Sequence, residues 1–394
     1  MTNSDFYIQD NSDIEETKLS AAKKHYNAER YSDALKLFLD IASTSASYKI
    51  YYEIGRCYYK LNEFDKAKEY FTNSISLEQY KNPSYLFLGN LYFKTDIIDK
   101  AIENWMNAYS YKPDDETVCL NLATSYFSKN MKFQSLLFYE KYLKYAKNKD
   151  SEYYLEIKKS IEAFSKTGKE FYQKAQKALL ANDTETAIQA LAYAANNFPT
   201  YFDANYLLGK LYFEQKKYLE ATAYLKQAYC LDNKSFDVLK ILPYAMLNLG
   251  DYTSAYCCFK RLLPLYINNQ KEYLDIIQTI KQLETGIDYQ STVEHKAWGD
   301  QYFEENNYHF ALFEYENCVL IDSSKTTDLA VTMKEIKSFL NPEERIIKAC
   351  FEKGDIYYSN GDFRQSNKYF TKIMSLSSEN SSEYKFAKSR LVNA

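Results

Sequence analysis

Histidine and cysteine are the residue types best suited to metal ligation and nucleophilic catalysis, so their spacing bounds the chemistry that the chain can perform. There are three histidines, His25, His295 and His309, and none pairs with cysteine or a carboxylate at a spacing typical of a metal site. Neither GxGxxG nor GxxxxGK[ST] occurs, so the sequence does not indicate a nucleotide site. We therefore predict no metal, no cofactor and no catalytic residue. An enzyme would need chemistry that leaves no motif.

The cysteines favour a reducing compartment. Seven are present, an odd number without any CxxC pair: Cys57, Cys119, Cys230, Cys257, Cys258, Cys318 and Cys350. Scattered cysteines of this kind are typical of reduced, buried thiols, which predicts a cytoplasmic protein. The adjacent Cys257 and Cys258 are the one candidate for redox chemistry.

Composition narrows the class of protein further. The 394 residues carry a net charge of −4 with 26% charged residues, which argues against a nucleic-acid partner, including an RNA-binding helical repeat with a basic stripe. The polar, acidic start and the lack of any long apolar stretch predict neither a secretory signal nor a membrane span. Only 9 Gly and 6 Pro stand against 41 Tyr and 24 Phe, which predicts helices that bury many rings.

A small residue recurs along the chain with a dominant period of 34. Successive spacings are 33, 34, 34, 52, 34, 34, 56 and 55 residues, for Ala34, Ala67, Ala101, Ser135, Ala187, Ala221, Ala255, Ala311 and Ser366. Four residues after each lies a bulky side chain, such as Phe71 or Trp105, which places both on one helix face. The register predicts nine repeating units.

Twelve residues before each of these positions stands a second small residue. The set is Ala22, Gly55, Gly89, Ala123, Ala175, Gly209, Pro243, Gly299 and Gly354. Glycine inside a helix costs about 1 kcal/mol relative to alanine, so its recurrence predicts two helices that cross closely at these points. Pro243 departs from the pattern and is expected to kink its helix.

The spacing resembles that of the tetratricopeptide repeat family. The family pattern is nearly complete at Tyr85, Leu88, Gly89, Tyr92, Ala101, Trp105, Ala108 and Pro113, and the resemblance extends over about 300 residues. It implies an all-α solenoid of helix–turn–helix units, wound as a right-handed superhelix. It also implies a non-enzymatic scaffold that binds a partner peptide or helix in its concave groove.

Three long spacings leave room for additional helices. The segments 151–164, 271–284 and 326–340 keep apolar residues in helical phase, and each is long enough for one helix and a turn. We interpret them as cap-like helices that close blocks of repeats. The predicted division is an acidic tail at 1–14 and blocks at 15–166, 167–285, 286–341 and 342–394.

The resemblance also implies which residues line the groove. They are Tyr52, Arg56, Tyr59 and Lys60, then Leu86, Asn90, Phe93 and Lys94, then Leu120, Thr124 and Phe127. The aromatic series Tyr26, Tyr59, Phe93 and Phe127, with its flanking cations, suits an extended, partly apolar and acidic ligand. The competing interpretation is that these aromatic residues are ordinary elements of the repeat.

Other partners follow from subgroups of the family. Some members bind a C-terminal carboxylate with a lysine and asparagine clamp, but Leu86 stands where the first lysine is required. Bacterial members that act as chaperones or assembly factors for secretion or pilus systems are the main alternative. The exposed aromatic series also allows self-association, with the tail of one copy in the groove of another.

Overall fold

The computed structural model describes residues 16–78, 82–287 and 289–391, so the predicted tail at 1–14 lies outside the described residues. The described residues contain helices and no strand, as predicted. In chain order the helices are α1 (16–27), α2 (Tyr31–Thr44), α3 (Tyr48–Lys60), α4 (Phe64–Leu77), α5 (Ser84–Lys94), α6 (Ile98–Tyr111), α7 (Glu116–Ser128), α8 (Lys132–Tyr145), α9 (Glu152–Leu180), α10 (Thr184–Asn197), α11 (Phe202–Glu214), α12 (Tyr218–Leu231), α13 (Phe236–Leu249), α14 (Tyr252–Leu262), α15 (Gln270–Glu284), α16 (Tyr289–Glu304), α17 (Tyr308–Ile321), α18 (Lys325–Leu340), α19 (Pro342–Ser359), α20 (Phe363–Leu376) and α21 (Ser382–Ser389). A short 3₁₀ turn, Leu263–Tyr266, precedes α15.

Nine helix pairs within the described residues match the nine predicted repeats. They are α1–α2, α3–α4, α5–α6, α7–α8, α9–α10, α11–α12, α13–α14, α16–α17 and α19–α20. Every pair is joined by a turn with one residue in the left-handed region, at Glu29, Asn62, Asp96, Asn130, Asn182, Lys216, Gly250, Asn306 and Gly361. Their spacing repeats that of the small residues, so each unit ends its first helix in the same way.

The close helix crossing predicted from the glycines is confirmed. A Cβ built on Gly55 would lie 2.7 Å from the ring of Phe71, and one on Gly209 would lie 2.7 Å from Cγ of Leu225. Phe71 and Leu225 are the bulky residues of the second helix, and both are fully buried. A large side chain of the second helix thus fills the space that the glycine leaves on the first.

The predicted separate helix at 151–164 is wrong. Its residues form the first half of α9, one uninterrupted 29-residue helix that continues through Gly168. The stretch contains no proline that would stop the helix. Gly168 faces the neighbouring Phe198: a Cβ added at Gly168 would lie 3.4 Å from Cβ of Phe198. Packing thus accounts for the glycine that suggested a break. Likewise α13 continues through the buried Pro243.

The other additional segments do form separate helices that cover neighbouring pairs. In α15, Ile276 is buried in the core that α12, α13 and α14 share. In α18, Phe339 packs edge-on against Tyr308 of α17, with ring centroids 5.0 Å apart. In α21, Ala387 is buried against α20. These contacts are those expected of cap-like helices.

The chain forms two compact units. One comprises Met1–Val118 together with Pro342–Ala394, and the other comprises Cys119–Asn341. We call them the terminal unit and the central unit. The boundary at Asn341–Pro342 coincides with a predicted block boundary, whereas the cut at Val118 falls inside the predicted first block. The four sequential blocks stay a prediction.

In the terminal unit the last repeat packs on an early one. The Tyr109 hydroxyl of α6 lies 3.0 Å from Glu343 at the start of α19, and Arg345 donates to the Ser110 carbonyl at 2.6 Å. Lys372 of α20 pairs with Asp114 at 2.5 Å. The C-terminal repeat therefore joins α6 across more than two hundred residues of sequence.

The central unit contains a comparable return of the chain. The Tyr126 hydroxyl of α7 donates to the Asn306 carbonyl at 3.3 Å, and the Gln134 amide donates to Asn307 at 3.0 Å. The ring of Phe133 meets His309 edge-on, with centroids 5.4 Å apart. The α16–α17 pair is thereby held against repeat four as well as against α12 and α14.

A buried polar cluster fastens α17 to its neighbours. Both carboxylate oxygens of Glu314 are used: one accepts from Lys226 of α12 at 2.9 Å, and the other lies 2.7 Å from Nδ1 of His295. Arg261 of α14 donates to Asn317 at 2.7 Å. Burial opposes ionisation of Glu314, but the His295 hydrogen bond and the Lys226 charge outweigh it and lower the pKa of the carboxyl.

Two helical glycines should respond with opposite signs to an added methyl group. Gly209→Ala would force a Cβ to within 3.2 Å of the Leu225 backbone nitrogen, and we expect it to destabilise the protein by about 1–3 kcal/mol. At Gly168 the space suffices, so Gly168→Ala should gain up to about 1 kcal/mol from helix propensity. Urea unfolding followed by circular dichroism measures both. Stabilisation by both variants would contradict the close-crossing explanation.

Glu314→Gln should destabilise the central unit by about 3 kcal/mol at neutral pH, because it leaves buried Lys226 and His295 without their carboxylate. A carboxyl with a lowered folded-state pKa contributes stability above its ordinary pKa of 4.5 and loses it as the pH falls through the folded value. The difference from wild type should therefore shrink below pH 4.5. Glu316→Gln, on the same helix and more exposed, is the control and should cost less than about 1 kcal/mol. A pH-independent difference would contradict the assignment.

Candidate functional site

The predicted groove residues of the terminal unit form an aromatic–cation row along α3 and α5. Arg56 is the most enclosed cation: its guanidinium carbon lies 4.1 Å from the ring centroid of Tyr26 and 5.5 Å from that of Tyr52. It also pairs with Glu53 at 2.7 Å. Burial raises the pKa of Tyr52 to about 12. We define the row as Tyr52, Arg56, Tyr59, Lys60, Phe93 and Lys94.

The lysines of the row rest on rings. Lys94 Nζ lies 5.0 Å from the centroid of Tyr59 and 4.5 Å from that of Phe64, while Lys60 Nζ lies 6.0 Å from that of Tyr31. Among the described residues, neither ammonium has a carboxylate within 4.0 Å. Two exposed cations are thus held on aromatic faces with their charge uncompensated.

The two predicted residues next to the row, Leu86 and Asn90, hold a tryptophan in place. The Trp105 indole donates to Asn90 Oδ1 at 3.1 Å and to the Leu86 carbonyl at 3.3 Å, so Asn90 positions the ring that lies over Gly89. Phe93 lies 5.6 Å from Trp105 between ring centroids. It remains 45% exposed, so it is the aromatic side chain of the row that a ligand reaches most easily.

Leu120, Thr124 and Phe127 belong to the central unit, so the structure divides the predicted series between two compact units. Thr124 is engaged with the Leu120 carbonyl of its own helix at 3.0 Å. Phe127 is 67% exposed. Together with Leu136, Tyr139, Tyr153, Ile157 and Phe164, it lines an open cavity of about 390 Å³ that we call the α8–α9 groove.

The first half of α9 forms one wall of this groove. We call residues 152–167 the α9 arm. Tyr154 is its one buried side chain; its ring lies 6.1 Å from that of Tyr142 of α8. The periodicity at Ile157, Ile161 and Phe164 indicated an apolar face; in the structure Ile157 and Ile161 are half-buried and Phe164 is exposed. The sequence showed the apolar periodicity of this segment but not which surface it would form.

The histidines and cysteines lie inside the repeats. His295 is part of the Glu314 cluster, and burial lowers the pKa of His309 to about 4, which keeps that ring neutral at physiological pH. All seven cysteines are free, and six are buried. Burial raises the pKa of Cys258 to about 11 and that of Cys257 further, so the adjacent thiols are not thiolates at neutral pH.

Across the part of the chain that the structure describes, no helix combines the length and the apolar character needed to cross a bilayer.

Comparison with solved structures gives helical repeat proteins of low sequence identity. A tetratricopeptide repeat protein from Parabacteroides merdae is 12% identical, with 68% of this chain and 98% of that one covered and a TM-score of 0.32. Yeast Tom70 is 13% identical, with 96% of each chain covered and a TM-score of 0.24. The TPR2AB domain of yeast Sti1 in complex with pHSP90 is 15% identical, with 69% and 99% covered and a TM-score of 0.27. No curated protein matches the chain.

Sequence comparison is more specific. Models of the tetratricopeptide repeat match residues 48–80, 172–238 and 347–380. The matched segments fall on the helix pairs α3–α4, α9 to α12 and α19–α20, in the same register as the remaining pairs. The resemblance seen in the sequence is thereby confirmed: the chain contains tetratricopeptide repeats, matched by the family models over these three segments.

Proposed function

We propose that this protein is a non-enzymatic interaction scaffold whose aromatic–cation row binds an extended, acidic segment of a partner protein. The observation that carries the proposal is the pair of exposed cations, Lys60 and Lys94, which lie on ring faces and have no carboxylate partner within the part of the chain that the structure describes. A ligand carboxylate would supply that missing charge. Nothing beyond binding is required of the site, and its setting would be the cytoplasm.

Such a row can gain affinity because its side chains are ordered before a ligand binds. Each lysine already rests on an aromatic face, so less side-chain freedom is lost when a ligand binds than for a lysine extended into water. Arg56 is constrained further, because Tyr26, Tyr52 and Glu53 contact its guanidinium. Its Nε is buried and has no hydrogen-bond acceptor among the described residues.

An apolar anchor would complement the charges. Phe93 is partly exposed and backed by Trp105, which gives a ligand side chain a rigid surface to pack on. An extended segment with acidic residues on either side of an aliphatic or aromatic residue therefore fits the row best. Tyr59 is less available, because its ring packs edge-on against Phe64 and Phe87.

Neutralising the lysines should weaken acidic ligands selectively. We expect Lys60→Gln/Lys94→Gln to reduce the affinity for acidic peptides at least about tenfold and to flatten its salt dependence. Fluorescence polarisation with a panel of short labelled peptides, in which Asp and Glu are replaced one by one with Asn and Gln, measures both effects. Lys100→Gln is the matched control, since Lys100 rests on Tyr92 outside the row.

Two results would overturn the proposal. Acidic peptides that bind no better than their amide counterparts would show that the row's charge is not used. Equal loss with Lys100→Gln would show that the effect comes from net charge alone. Phe93→Ala tests the anchor separately: it should weaken every peptide that carries an apolar residue and leave purely acidic ones unchanged.

A further inference from the structure

The chain itself contains a sequence of the kind that fits the aromatic–cation row. Residues 5–13 read DFYIQDNSD, so Asp5 and Asp10 stand on either side of the apolar residues 6–8. This is the order of charged and apolar side chains that complements a row of exposed cations beside an aromatic anchor. We call residues 5–13 the N-terminal segment; it lies outside the described residues.

The charge of this segment is not balanced by its neighbours in sequence. The first 17 residues carry five carboxylates and neither lysine nor arginine. The first cation of the chain, Lys18, already pairs with Asp40 of α2 at 2.6 Å. The nearest set of cations without a carboxylate partner among the described residues is therefore in the row, at Lys60 and Lys94.

The segment is attached to the fold within reach of the row. Its attachment point is the start of α1 at Glu16, and ten residues further along that helix the ring of Tyr26 lies 4.1 Å from the Arg56 guanidinium carbon. Ten helical residues extend about 15 Å. The 6 and 11 residues that separate Asp10 and Asp5 from Glu16 can span up to about 20 and 36 Å. The covalent length of the chain thus permits both aspartates to reach the row.

The remaining stretches outside the described residues do not compete for this role. They are residues 79–81, 288 and 392–394, each no more than three residues long. A stretch of three residues is too short to place two acidic side chains on either side of an apolar group. The N-terminal segment is the candidate that meets the requirements of charge, apolar content and length together.

We propose that the N-terminal segment binds the aromatic–cation row of its own chain and competes there with the partner protein. Its two aspartates would face Lys60 and Lys94, and residues 6–8 would pack on Phe93. The inference rests on the proposed function, because it assigns the same ligand preference to the row. A partner then binds only those molecules whose row is open, and its apparent affinity falls in proportion to their fraction.

Competition can be measured on the full chain with the labelled acidic peptides. Asp5→Asn/Asp10→Asn should raise peptide affinity at least about threefold at low salt, because a tethered segment competes at an effective concentration on the order of 1 mM. The gain should shrink as added salt screens the charges. Glu69→Gln/Glu103→Gln is the matched control. It removes two exposed carboxylates from α4 and α6, outside the row, and should leave the affinity unchanged.

Photocrosslinking locates the segment directly. Benzoylphenylalanine in place of Tyr7 should, on illumination, attach to peptides that contain residues 56–60 or 93–94. Lys60→Gln/Lys94→Gln should reduce this product. Illumination of a mixture of isotopically heavy and light chains identifies the source, because a link within one molecule joins peptides of the same isotope.

Three outcomes would overturn the proposal. Equal peptide affinities for wild type and Asp5→Asn/Asp10→Asn would show that the segment does not occupy the row. An equal gain with Glu69→Gln/Glu103→Gln would assign the effect to net charge. Products of mixed isotope alone would assign the row to the segment of a second copy.

Failure of the proposed function would give a different result. Acidic peptides would then bind no better than their amide counterparts, even to the Asp5→Asn/Asp10→Asn variant. If acidic peptides bind in a manner that requires Lys60 and Lys94 but the segment variants change nothing, the row keeps its proposed function and the competition within the chain is excluded.

Discussion

The fold depends on one steric contact that is repeated along the chain. A large side chain from the second helix of a pair packs where the first helix carries only a glycine or an alanine. Phe71 meets Gly55 in this way, and Tyr315 meets Gly299. The two helix axes can then approach closely and the ring becomes fully buried. Gly or Ala stands at this position in eight of the nine pairs, with Pro243 of α13 as the exception, so the outward positions recur in register as well. Tyr59 and Phe93 of the aromatic–cation row occupy the same position in successive repeats, so that contact sets their spacing.

The structural features that could be predicted from the sequence are those that this local contact determines. Gly55 and Phe71 are only sixteen residues apart, so the register of the pairs could be predicted. The turns were harder, because Gly250 signals a left-handed residue whereas Lys216 occupies the same conformation without such a signal. Gly168 lies within α9 and faces Phe198, so this glycine does not end the helix.

The residues of the candidate site could be predicted only in part. The family resemblance implied Tyr59, Lys60 and Lys94 as groove residues. It implied neither the Glu53 carboxylate that pairs with Arg56 nor the indole that donates to Asn90. The place of Phe127 in the α8–α9 groove depends on where the α9 arm projects, which no periodicity specifies. The Glu314 cluster brings together side chains from α12, α16 and α17, and such convergence has no signature in a single sequence.

The return of the last repeat to α6 has a consequence for the order in which the protein is made. In a linear repeat array each unit contacts its neighbours and can fold as soon as it leaves the ribosome. Here Tyr109, Ser110 and Asp114 are synthesised early, while their partners Glu343, Arg345 and Lys372 are translated more than two hundred codons later. The terminal unit thus begins to be made before the central unit and is completed only after it. Throughout elongation the outer side of α6 stays uncovered on the nascent chain, and a message truncated before codon 342 yields a product that never covers it.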